Sequence, residues 1–166
     1  MRAFLSGLRD AAMDAGAAGG GAFWPAPARA PLLLLQAAAL LALRWHVAAV
    51  FFRSGLTKLE DWETTLLLFE NEYQVPVLSP VLAAWMGTGG ELLLPVLLVL
   101  GLGTRVAALG LSVVNIMAVL SLAEISPLAL AGHQLWGLLL LAPLLWGAGL
   151  FSLDAALARW RARGTT

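Results

Sequence analysis

Residues 31–52, PLLLLQAAALLALRWHVAAVFF, and 76–103, PVLSPVLAAWMGTGGELLLPVLLVLGLG, decide how this chain folds. Both are long enough to cross the ~30 Å of hydrocarbon in a bilayer at 1.5 Å per helical residue. Each holds one formal charge well inside it, Arg44 in the first and Glu91 in the second. A charge at that depth costs roughly 2.5–3.5 kcal/mol on insertion scales, so it normally faces a partner or a water-filled cavity. Two further apolar stretches, 106–124 and 133–152, complete a set of four. The expected fold is all-α: a polytopic membrane protein built as a four-helix transmembrane bundle.

Composition agrees. Of 166 residues, 60% are hydrophobic and 12% charged, with a mean hydropathy of +0.85, outside the range of ordinary soluble domains. Ten basic and ten acidic residues leave no net charge. No basic stripe or RNA-binding motif points to nucleic acid. The absence of cysteine excludes disulfides, thiol redox chemistry and thiolate metal sites within this chain. No phosphate loop, nucleophile elbow, metalloprotease helix or dinucleotide fingerprint occurs, so nothing local supports enzyme function.

The charges give an orientation. Arg2, Arg9 and Arg29 precede the first span, Arg105 follows the second, and Arg159, Arg161 and Arg163 follow the fourth. The connection 53–75 holds only Arg53 and Lys58 among five acids. The basic bias predicts both termini and the 103–105 turn in the cytoplasm of a bacterial inner membrane. Residues 1–30, rich in Ala and Gly, read as a flexible cytoplasmic tail; 31–153 read as the membrane domain and 154–166 as a basic cytoplasmic tail. A secretory signal over 31–43 is the rival reading of the first stretch, but apolar character resumes at Val47–Phe52.

Within 53–75, Leu56, Leu59, Trp62, Leu66, Phe69 and Tyr73 recur at spacings of three and four. This is an apolar helical stripe, expected as an amphipathic helix in the first outer loop. Pro143 predicts a kink in the fourth span.

Counting inward from the cytoplasmic ends puts Arg44, Glu91 and Asn115 at about 20, 18 and 15 Å respectively. Near-equal depth predicts an Arg44–Glu91 ion pair with Asn115 beside it, either fixing helix register or forming a midplane polar pocket for a quinone head group, a proton or a small ligand. Arg53, Lys58, Asp61, Glu124 and His133 are candidates at the outer face, where the alternative is that they only mark span ends. His46, Met86 and Met117 form a second layer of soft donors suited to Cu(I), against which stands the ordinary use of methionine as core filler. No metal is expected.

The segments LRWHVAAVFFRSGLTKLEDW (43–62) and VPVLSPVLAAWMGTGGELLLPVLLVLGLGTRVAALGL (75–111), with the Asn115 helix after them, resemble the DoxX family of small bacterial inner-membrane proteins. Arg44, Gly55, Lys58, Glu91 and the Gly101–Arg105 turn carry the resemblance, which extends over about 40–155. It implies a compact four-helix membrane bundle associated with redox or oxidative-stress complexes. The leading expectation is a non-catalytic subunit or accessory of such a complex, in contact with the lipid bilayer and membrane or periplasmic partners, or with further copies of itself. The alternatives are a quinone-linked oxidoreductase subunit and a carrier of a small solute or metal. No cofactor is fixed by the residues; quinone is the candidate.

Overall fold

The computed structural model describes residues 26–163. The expected N-terminal tail therefore lies, up to residue 25, outside the described residues. Six helices account for the rest: α1 (Ala26–Glu60), α2 (Trp62–Asn71), α3 (Pro80–Leu100), α4 (Thr104–Leu120), α5 (Pro127–Trp146) and α6 (Leu153–Arg163). The chain divides into two units, Met1–Ala39 and Leu40–Thr166. In the first, the described residues are the opening turns of α1, with Leu32 and Leu35 exposed. All that follows concerns the second.

Helix boundaries follow from local chemistry. Ser79 and Ser126 each stand before a proline, and each hydroxyl accepts a hydrogen bond from the amide three residues on, Leu82 and Ala129. A serine cap followed by proline at the first helical position satisfies one orphan amide and removes another. Both helices therefore begin away from the expected edges: α3 at Pro80 rather than 76, α5 at Pro127 rather than 133. Gly101 ends α3 in the left-handed conformation, φ +67°, which glycine alone adopts at little cost. Gly147 and Gly149, also at positive φ, break the chain after Trp146, so the fourth apolar stretch ends earlier than 152. Pro143 falls in the last turn of α5.

The first outer loop differs most from expectation. Residues read as a connection from 53 continue α1 to Glu60, and Leu56 and Leu59 lie on that helix, exposed. Asp61 then restarts the chain. Its carboxylate accepts from the Thr64 amide at 2.9 Å and from the Thr64 hydroxyl at 2.6 Å, capping α2. Those bonds hold the Asp61 carboxyl below the usual range, the hydroxyl contributing most. The remainder of the stripe, Trp62, Leu66, Phe69 and Tyr73, packs with Ala83 and Ala84 of α3. One apolar repeat in the sequence thus serves two helices, because a side-chain cap interrupts it.

Helix α4 lies between α3 and α5. The main core joins Val47, Ala48 and Phe51 of α1, Leu98 of α3, Ala107, Ala108 and Leu111 of α4, and Leu140 of α5. The alanines allow the close backbone approach on which helix packing in lipid depends.

The start of α4 has no cap of its own, since Gly103 supplies no side chain. Asp154, in the first turn of α6, provides one from a distance. Its Oδ1 accepts from the Gly103 amide at 2.9 Å; its Oδ2 accepts from the Thr104 amide at 3.1 Å and the Thr104 hydroxyl at 2.9 Å. Burial raises the Asp154 pKa, but these bonds and the nearby Arg44 charge together outweigh it, leaving the carboxyl below its ordinary value. The stretch 154–166, expected as a tail, is helical as far as Arg163.

The outer surface is apolar to a degree that water would not tolerate. Leu93, Val106, Leu138, Leu145 and Trp146 are all at least 60% exposed. Of the most apolar eighteen residues of α5, only 11% are buried. A helix that is hydrophobic all round and unburied by protein belongs in lipid. Three helices, α1, α3 and α5, are long and apolar enough to cross a membrane; α4 is apolar and shorter, 17 residues.

Candidate functional site

The expected midplane triad does not form. Arg44 is fully buried but meets backbone oxygens in place of Glu91. Its Nη1 donates to the carbonyls of Leu98 (3.1 Å) and Val99 (3.2 Å), its Nη2 to Phe151 (2.6 Å) and its Nε to Leu40 (3.4 Å). The reason is register. Residue 44 of α1 lies beside the C-terminal end of α3, where helix carbonyls lack intrahelical partners and carry the negative end of the dipole. Depth counted from Pro31 misplaced it, because Arg44 stands level with the last turn of α3 and not with its middle.

Glu91 pairs instead with Lys58: Nζ to Oε2 is 2.7 Å, and Nζ also donates to Ser54 Oγ at 2.9 Å. A close crossing makes this reach possible. A Cβ placed on Gly55 would lie 2.9 Å from the Leu92 side chain and 3.1 Å from the Glu91 Cβ, so α1 and α3 touch there because residue 55 has no side chain. Lys58 then sits almost one turn further along α1 and turns back onto Glu91. Glu91 is mid-α3 and buried; Lys58 is half-buried near the end of α1.

Asn115 takes a third partner. Its Nδ2 donates to the His133 carbonyl at 2.9 Å, which leaves Oδ1 to accept from His133 Nδ1 at 2.8 Å. This fixes the ring orientation and leaves Nε2 of a neutral imidazole as an acceptor. His133 also meets Trp136 edge-on, centroids 5.1 Å apart, and Trp136 meets Phe51 at 6.0 Å.

Glu91, Lys58, Ser54 and His133 converge on one cavity of about 540 Å³. Phe51, Phe69, Met86, Met117 and Trp136 supply much of its apolar wall, and Tyr73 and Ser121 add hydroxyls. Its volume falls within the ~300–1,000 Å³ typical of small-molecule sites, and a mostly apolar wall with a few converging polar groups is their usual character. Residues of the segments 73–78 and 121–122 also line it. There Tyr73 and Leu122 form an antiparallel bridge, and the Gln74 amide donates to the Ser121 carbonyl at 2.7 Å. Burial, reinforced by the Glu72 and Glu91 carboxylates, pushes the Tyr73 phenol pKa up, so it remains a donor at neutral pH.

The other candidates are scattered. Arg53 lies on a separate groove of about 320 Å³ with Trp45, Phe52 and Pro95. Asp61 caps α2. Glu124 is exposed in the loop before α5. Met86 and Met117 line the main cavity, while His46 is exposed on another face of α1, so the three soft donors do not converge. Sequence reasoning missed Ser54, Trp136 and Asp154 as participants. The Ser54–Lys58 spacing of four is a legible one-face signal; Asp154 gave none, because its partners, two backbone amides and the Thr104 hydroxyl, lie some fifty residues away.

Fold and site together define a multi-pass helical membrane protein with a polar-edged cavity among its apolar helices. Residues 39–124, just over half of the chain, match the DoxX family model, and the chain belongs to the DoxX family. No curated protein and no solved structure matches it.

Proposed function

We propose that this protein is a binding subunit of a bacterial inner-membrane redox or stress-response complex, holding a flat amphipathic molecule of the quinone class in the Lys58–Glu91 cavity. The observation that supports this reading is the composition of the wall. Aromatic and thioether side chains suit a ring and its apolar tail; Lys58 and Tyr73 can donate hydrogen bonds to ring oxygens, and Glu91 and His133 Nε2 can accept them from the hydroxyls of the reduced ring. The earlier pocket at Arg44 gives way to this one, since Arg44 is occupied by backbone carbonyls. The chain itself binds and orients; electron transfer falls to partners. Titrating the purified protein with decylubiquinone tests this. Tryptophan fluorescence should quench saturably, most of the change should disappear in Trp136→Phe, and Glu91→Gln should weaken binding about tenfold, the value of one good hydrogen bond to a charged group. Quenching that rises linearly and ignores both substitutions would sink the reading.

We further propose four spans, with α4 as the short one, and both ends cytoplasmic. The basic residues at 105, 159, 161 and 163 support this orientation, and it puts the 73–78 segment outside. Val77 is fully exposed. A Val77→Cys chain, with no other thiol, should react with an impermeant maleimide on intact spheroplasts. Reaction only after permeabilisation would reverse the orientation.

A further inference from the structure

Helix α6 carries an apolar stripe that the described residues leave exposed. Leu153, Leu157 and Trp160 are 43, 39 and 73% exposed. At 3.6 residues per turn they fall within a stripe about 60° wide. Arg161 and Arg163 flank that stripe on its two sides. In the first turn, Asp154, a quarter-turn round from the stripe, and Ala155, opposite it, are half-buried, and Asp154 is bound to the start of α4 as described above. Those bonds anchor the first turn of α6, and from residue 156 to 163 the helix is exposed on every side, the Leu–Trp stripe included.

We infer that α6 is an interfacial helix that docks on the anionic phospholipid leaflet at the cytoplasmic face. Three features point to lipid. The stripe follows directly on the exposed apolar end of α5, where Leu145 and Trp146 are 60 and 67% exposed, so it continues a surface already suited to acyl chains. Tryptophan on the apolar face with arginine beside it is the composition of helices that lie in the headgroup region. Three side chains also fall well short of the ~800 Å² per partner that a stable protein interface buries. Arg161 beside the stripe can reach phosphate while the stripe sinks between acyl chains, and a basic residue near an anionic surface contributes about fivefold to the docked population.

The chain's lack of cysteine gives a clean background for spin labels. Leu157→Cys on the stripe and Ala158→Cys off it would be labelled in the full-length protein. Both would be reconstituted in phosphatidylcholine vesicles with and without phosphatidylglycerol. Power saturation then compares collision with oxygen, which concentrates in lipid, against a water-soluble nickel chelate. With phosphatidylglycerol present, the label at 157 should meet oxygen and be shielded from nickel, and the label at 158 should show the reverse. Adding Arg161→Gln, or omitting phosphatidylglycerol, should shift the 157 label toward nickel by several-fold. Three results would overturn the inference: equal nickel access at both sites, shielding of 157 from both reagents (the mark of a covering protein), or immersion indifferent to Arg161 and to lipid charge.

Discussion

Lys58→Met should lower the stability of the protein by about 3 kcal/mol, and Glu91→Gln by distinctly less. Removing one member of a buried ion pair leaves the other desolvated and alone, at a cost of about 3–5 kcal/mol. The two members are not equivalent. Glu91, at 8% side-chain exposure in the middle of α3, has nowhere to turn; Lys58, at 21% and two residues from the end of α1, can extend its amine toward water. Partial exposure of the pair sets the figure for Lys58 at the lower end of the range. Replacing both by apolar residues, Lys58→Met with Glu91→Leu, should restore much of the loss, because no orphaned charge remains. Thermal unfolding in detergent measures all three. Equal melting temperatures for Lys58→Met and the natural chain would mean that Glu91 has another partner or open access to water.

The second large effect is expected at Gly101. An alanine there must hold φ near +67°, worth about 1–2 kcal/mol against an L-residue. Its Cβ would also stand 2.5 Å from Arg44 Nη1 and from the Ser152 Cβ, and 3.0 Å from the Ser152 Cα. Arg44 is held by carbonyls of three segments and Ser152 presses with backbone as well as side chain, so neither can withdraw cheaply. Gly103 is the natural control: φ is +56°, and nothing lies within 4 Å of its Cβ position. Gly103→Ala should therefore show the conformational cost alone, and Gly101→Ala at least about twice that loss, since overpacking adds a further ~1–3 kcal/mol. Matching melting temperatures for the two variants would show that the crowding around residue 101 is easily relieved.

How much of this was legible beforehand depends on whether a residue's partner has a signature of its own. The long apolar helices were legible because composition and length settle them. The starts of α3 and α5 were also legible in principle, as Ser79-Pro80 and Ser126-Pro127, though hydropathy alone drew the edges four and six residues away. Arg44 was correctly noticed as a charge in need of company, and wrongly matched. Its acceptors are main-chain oxygens, which every residue possesses and no sequence singles out. The Lys58–Glu91 pair was obscured for a different reason. Lys58 was placed in the first outer connection because the apolar run ends at residue 52, whereas α1 continues through that boundary to Glu60 and brings Lys58 onto the α3 surface. Asn115 and His133 were each singled out but assigned to different levels, since depth counting cannot register how α4 and α5 are offset.

The distant cap on α4 carries a consequence for the order of events during synthesis. A ribosome releases Gly103 and Thr104 about fifty residues before Asp154, so the amides at that turn stay open to water while α4 and α5 are being made. Arg44 waits longer still, more than a hundred residues, for the Phe151 oxygen. The packing around the start of α4 and Arg44 is thus completed last, by the arrival of one acidic side chain and one carbonyl from the same short stretch.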